Sequence, residues 1–207
     1  DLDEQTAGQT LALLYSFAGD GVKAEQLQPR RRKQNAVALP AGATAAPAIE
    51  AVIDLARDRQ LVIVNEAHDA PQHRELLRHL AGRLREVGFE YYGMEGLNEN
   101  PERLRERGCP VRWSGFYTNE PVFGQLVRDV LTLGYTPVAY EAMYVASTGE
   151  VATDINAREA VQCDNLVARI FARQPDARVI VHVGHDHVME APRKAGDKEI
   201  LWLAARL

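Results

Sequence analysis

A single α/β domain, with a largely parallel sheet flanked by helices on both faces, is the fold class that this sequence predicts. Three observations point to it. Short apolar runs rich in β-branched residues, such as Leu61-Val62-Ile63-Val64 and Val179-Ile180-Val181, are what strands covered on both faces require. Segments with helical periodicity alternate with those runs, as right-handed crossovers between parallel strands demand. Glu and His collect just beyond the runs, where open parallel sheets bind ligands.

Each element has its own signal. Gln5 to Phe17 reads as an amphipathic helix, followed by a polar segment and the short apolar stretch Ala36-Val37-Ala38-Leu39 before Pro40. The Ala/Gly/Pro-rich stretch from Ala41 to Pro47 marks a boundary. Residues 1–45 are therefore expected to form an amino-terminal helix and extended segment packing on a main body of residues 46–207. In that body a helix from Ala48 to Arg57 leads into the first strand, Leu61 to Val64. The next helix is expected near Asp69, with Gln72 completing a capping box and Leu76, Leu77, Leu80 and Leu84 forming an apolar face up to the stop at Gly88. Phe89 to Met94 predicts the second strand, Pro121 to Leu133 a helix, and Thr136 to Tyr140 the third strand. A long helix is expected from Asp154 to Arg173, with Leu166, Val167 and Ile170 serving the core. Arg178 to Val183 predicts the fourth strand and Ile200 to Ala204 a fifth.

Composition excludes several classes. The 207 residues, 46% hydrophobic, suffice for one core. A net charge of -5 spread over mixed charges argues against nucleic acid as a partner, and the basic run Arg30-Arg31-Arg32-Lys33 beside Pro29 reads as a solvated loop. No stretch reaches the roughly 20 apolar residues of a membrane span. The chain begins at Asp1 rather than Met, consistent with a processed terminus that has lost an export signal or lipid anchor, and hence with an extracytoplasmic location. Cys109 and Cys163 carry no framework information; free thiols are the better reading.

The chemistry collects at four strand exits. Asn65-Glu66-Ala67-His68-Asp69 follows the first strand, Glu95-Gly96 the second, Glu141 the third, and Gly184-His185-Asp186-His187 the fourth. A neutral imidazole can take a proton from water near neutral pH while a carboxylate sets its tautomer, which makes His68 the natural base and Glu66 or Glu95 its orienting group. Glu66, His68, Glu95 and His185 equally offer ligands to a divalent metal, so metal-assisted and metal-free chemistry both stand at this point. Arg158, Gln162, Asn165 and Arg169 share one helical face, suited to an anionic group or simply to solvent. Glu141 can serve a ligand, cap a helix or pair with an arginine, and His187 can point either way after its turn. His182 alternates within a buried strand and reads as core, whereas His79 lies on a polar helix face. His73 follows the first motif by one turn. Tyr91, Tyr92, Trp113, Phe116, Tyr117 and Tyr144 can line a pocket or simply fill core and rim.

Val64-Asn65-Glu66-Ala67-His68-Asp69, with Glu95 beyond the next strand, resembles the Gly-Glu-x-His segment of erythromycin-esterase-like and ChaN-like proteins and the related TraB/Tiki group. Arg158-Glu159-x-x-Gln162-Cys163-x-Asn165-Leu166 is similar to their Arg-Asp-x-x-Met-Ala-x-Asn helix, and Gly184-His185 to their late Gly-His. Asn65, Glu159 and Gln162-Cys163 depart from that pattern. The resemblance covers Leu61 to Val188 and implies site roles for Glu66, His68, Glu95, Arg158, His185 and Asn165. It implies a hydrolase acting on an ester-like or amide-like bond through a His-activated water, with Arg158 and His185 holding the substrate; Asn165 and, from their strand-exit positions, Glu141 and His187 are further candidates around a small-molecule substrate. Its other branches imply a divalent-metal protease or an extracytoplasmic haem-iron binding protein, in which a tyrosine would ligate the iron.

Overall fold

The computed structural model describes residues 4–27 and 39–207. The basic run Arg30 to Lys33 and all but the end of the Ala36 to Leu39 stretch lie outside the described residues. Helices α1 (Glu4–Phe17) and α2 (Gly21–Leu27) pack on each other, and the Phe17 ring meets Phe116 of the main body at 5.4 Å.

The main body alternates helix and strand. Its elements are α3 (Ala48–Ala56), β1 (Leu61–Glu66), α4 (Pro71–Glu86), β2 (Tyr91–Met94), α5 (Pro101–Arg107), α6 (Pro121–Thr132), β3 (Thr136–Ala139), α7 (Val151–Leu166) and β4 (Val179–Gly184). A hairpin of β5 (Arg193–Ala195) and β6 (Lys198–Ile200) and the short α8 (Leu203–Arg206) close the chain. Strands β1 to β4 form one parallel sheet in the order β1-β4-β2-β3. Because side chains alternate across a strand, each face gathers its own core. Val62, Val64, Tyr92, Met94 and Ile180 pack with α3, α4 and α6 on one face. Leu61, Ile63, Val179, Val181 and Val183 pack with Leu166, Ile170 and Leu203 on the other.

The order matters for the site. The last strand, β4, inserts between β1 and β2, so Gly184 pairs in register with Glu66 while His182 pairs with both Val64 and Met94. Acids leaving two strands that do not touch are thus brought to either side of one glycine.

Several expectations are corrected. Ile200 to Ala204 is not a fifth strand of the sheet: Ile200 ends β6, which pairs antiparallel with β5, and Leu203 starts α8. No capping box opens α4. It begins at Pro71, whose missing N–H suits the first turn, and Ala70 precedes it without a side-chain cap. Helix α7 starts at Val151, because Glu150 rather than Asp154 accepts from the backbone N–H groups of Ala152 and Thr153. Asp154 instead holds the preceding turn through Ser147 and Thr148. Beyond Leu166 the helix widens into a π-helical turn over Val167–Phe171. Leu166 and Ile170 are buried there, while Val167, rotated about 100° from Leu166 on the helix surface, is 43% exposed. Helix α5 was not expected, although Asn100 as cap, Pro101 in the first turn and Gly108 at φ 74° carry the appropriate signals. Cys109 and Cys163 are free thiols.

Candidate functional site

Glu66 ends β1 pointing to the α4 face, at 2% exposure, and a carboxylate so placed needs partners. It has three. Arg74, fully buried one turn into α4, donates from Nε to Glu66 Oε2 at 2.7 Å and from Nη2 to Oε1 at 2.6 Å. His68 places Nδ1 2.8 Å from Glu66 Oε1, and His182 Nε2 stands 2.9 Å from Oε2 without the alignment of a directed hydrogen bond. Burial alone would raise the Glu66 pKa, but His182, His68 and Arg74 together hold it far below the ordinary carboxylate value. Glu66 is therefore an anion, and a donor at His68 Nδ1 leaves Nε2 as the basic nitrogen.

The His68 loop is locked from both sides. The Ala67 N–H donates to His73 Nδ1 at 3.1 Å, and Arg74 Nη2 donates to the His68 carbonyl at 2.7 Å. Tyr117 stacks on the His68 ring at 3.9 Å with planes 16° apart. Gly96, at φ 73°, makes room for that stack, since a Cβ there would lie 2.8 Å from Tyr117 Cδ2. The His68 side chain remains 26% exposed, and its Nε2 faces Glu95 Oε2 at 3.9 Å.

A second carboxylate group surrounds Arg158. Glu95 Oε1 accepts from Arg158 Nη2 at 2.9 Å, and Glu95 Oε2 accepts from the Gly184 backbone N–H. Glu141 accepts from Arg158 Nε at 3.1 Å and Nη2 at 2.9 Å, and from Gln162 at 2.9 Å. Asn165 donates to the carbonyls of Tyr140 and Glu141, which shapes the β3 exit. His187 lies 3.4 Å from both Glu95 Oε1 and Arg158 Nη1, and its Nδ1 donates to Glu159 at 2.8 Å. Desolvation opposes its protonation, yet Glu159 and Glu95 prevail and raise the His187 pKa to about 9. The imidazolium so formed cannot accept from Arg158. Of the five guanidinium N–H groups, those on Nε and Nη2 are spent on Glu95 and Glu141, while Nη1 lies beside His187 Nε2.

The structure thus brings together Glu66, His68, Glu95, Glu141, Arg158 and His187, with Asn165 behind them. His185 is different. Its side chain is 71% exposed and pairs with Asp186 at 3.3 Å, while its backbone carbonyl accepts from Asn65. The Asn65 side chain, where the resembled families carry Gly, ties the β1 exit to the β4 exit. The turn after Gly184 carries His187 inward and His185 outward. Among the described residues no group of three or more His, Cys, Asp or Glu side chains is arranged to hold a metal, and the candidate set Glu66, His68, Glu95 and His185 does not converge. The oxygens of Glu66 and Glu95 are instead taken up by Arg74, Arg158 and the Gly184 N–H.

Sequence reasoning missed Arg74, Glu120, the role of Glu159, the stacking of Tyr117 on His68 and the contact of His182 with Glu66. Arg74 had a signal: it lies on the same stripe as Leu77, Ala81 and Leu84, an arginine where the periodicity wants an apolar residue. Glu120 had one too, standing before Pro121, where its side chain caps α6 and also accepts from Arg74 at 2.9 Å. Tyr117 stood among the aromatics able to line a pocket, but its stack on His68 depends on a loop approach that no local pattern signals.

No family model and no curated protein matches the chain. Among solved structures, a chain described as "Bacterial protein toxins" superposes on 79% of this chain with a TM-score of 0.57 at 15% identity. The present chain spans 36% of that structure's length. At this identity the likeness shows the α/β fold alone.

Proposed function

We propose that the protein is a hydrolase in which His68 activates water against an ester-like or amide-like bond. The observation that carries this reading is the Glu66–His68 pair: a buried, ionised carboxylate on Nδ1 and a partly exposed Nε2 beside Glu95. Glu66 fixes the tautomer and stabilises the imidazolium formed when Nε2 takes the proton of the attacking water. Arg158, anchored by Glu95 and Glu141 and still partly exposed, is the cation available to the oxygen on which negative charge develops. His187, held by Glu159, supports that anchor from behind.

In the alternative of a haem-binding protein, a tyrosine near the site would ligate the iron. Tyr117 is already stacked on His68, and its phenol is raised to about 12 by burial and then by the nearby Glu95. The hydrolase reading therefore has the stronger support. Its test is a panel of ester, lactone and peptide substrates assayed with wild type and with His68→Gln. Turnover lost in the variant, with thermal unfolding unchanged, is the expected result; equal turnover in both removes His68 from the chemistry. Haemin added to the same protein should give no saturable Soret shift.

A further inference from the structure

A cavity of about 560 Å³ opens beside the unpaired edge of β3 and shares one wall residue, Glu141, with the site. This is ample room for a small molecule. Arg105 of α5 and Arg169 and Arg173 beyond α7 line it. Among the described residues no carboxylate pairs with any of the three. The acids on the same walls are largely committed elsewhere: Glu141 to Arg158, and Glu99 to Arg107 at 2.6 Å and to Ser114. Glu102, in the first turn of α5, is the remaining counter-charge. Three arginines without carboxylate partners thus face three glutamates, two of them already paired, in a concave space that the half-exposed Met143 also lines.

We propose that this cavity receives the anionic head of a small molecule with an apolar body, the head being a carboxylate or a phosphate. Unpaired guanidinium groups in a concavity favour such oxygens through bidentate, charge-assisted hydrogen bonds. Glu141 then separates the bound anion from Arg158, so the head sits in the cavity while the remainder of the molecule extends past the β3 exit toward His68. That the remainder carries the bond to be cleaved rests on the hydrolase reading; the binding of the anion does not.

The experiment titrates hexanoate, hexyl phosphate and hexanol into the protein at about 0.15 M salt, where long-range surface attraction is screened. The readout is the side-chain Nε–H resonances of the arginines. Saturable shifts with one or both anions are expected, and which of the two saturates identifies the head. Hexanol should bind at least about tenfold more weakly, the value of one lost charge-assisted hydrogen bond. The double variant Arg169→Ala/Arg173→Ala should weaken anion binding by about 100-fold, two such contacts, while Arg112→Ala, outside the cavity, should leave it unchanged. Equal binding of hexanol, or undiminished anion binding in the double variant, overturns the proposal. Because binding is read without turnover, an inactive protein that still binds the anions sinks the hydrolase reading alone. A hydrolase that fails to bind them sinks the cavity proposal alone.

Discussion

Gly184 lies against the tip of His68: a Cβ built on it would stand 2.7 Å from His68 Nε2 and 3.0 Å from Glu95 Oε2. Its φ of -72° is open to any residue, so the demand for glycine is one of space and not of backbone conformation. His68 cannot simply move aside, because Glu66 holds Nδ1 and Tyr117 covers the ring face. Gly184→Ala should therefore displace the basic nitrogen, and a displacement near 1 Å costs on the order of 100-fold in rate. Steady-state kinetics beside a thermal melt check this: kcat/KM should collapse while the fold persists.

Arg74 predicts stability rather than rate. It is fully buried and offsets Glu66 and Glu120 together, so Arg74→Ala leaves two buried carboxylates without their cation. Removing one partner of such a network costs about 3–5 kcal/mol. Urea unfolding should show this loss, and a loss below about 1 kcal/mol would mean that water replaces the guanidinium.

His187 and His185 should behave oppositely. His185→Ala alters an exposed side chain and should leave unfolding within about 0.5 kcal/mol of wild type. His187→Gln removes a group whose pKa is raised from 6.5 to about 9 by Glu159 and Glu95 against desolvation. A raised folded-state pKa gives stability that is complete below about pH 6.5 and is lost as pH climbs through 9. The stability gap between wild type and this variant should accordingly narrow by on the order of 3 kcal/mol between pH 6 and 10. A gap independent of pH would show that His187 is neutral in the folded protein.

The carboxylates set the acid limb. Glu66 and Glu95 are both held well below the ordinary value, against burial, by their histidine and arginine partners. Their contribution is present above about pH 4.5 and disappears as pH falls below it. Equilibrium unfolding of Glu66→Gln should consequently show a shallower loss of stability with acid than wild type, and a parallel loss would contradict the assignment.

Tyr117 tests the stack itself. Tyr117→Phe keeps the ring over His68 and should retain activity, whereas Tyr117→Ala gives up about 1 kcal/mol of ring contact and frees the imidazole to rotate. Equal kcat/KM for the two variants would separate the stack from catalysis.

Much of this architecture was legible from local pattern. Continuous β-branched runs marked β1 and β4, although only β4 is buried throughout and β1 is a partly buried edge strand; helical periodicity placed α3, α4, α6 and α7, and the strand-exit rule collected Glu66, His68, Glu95 and Glu141. Those signals are local, being carried by hydrophobic burial and backbone preference over a few residues. What only the tertiary structure decided was which exits become neighbours. Inserting β4 between β1 and β2 put Gly184 between Glu66 and Glu95, and the turn that follows chose His187 over His185, a choice that a two-residue spacing leaves open. Tyr117 reached His68 because Gly96 at positive φ let a distant loop close on it, and Arg74 became the partner of Glu66 through packing of α4 on the sheet. Such contacts join residues far apart in the chain, so their energies depend on distance in space and leave no period in the sequence.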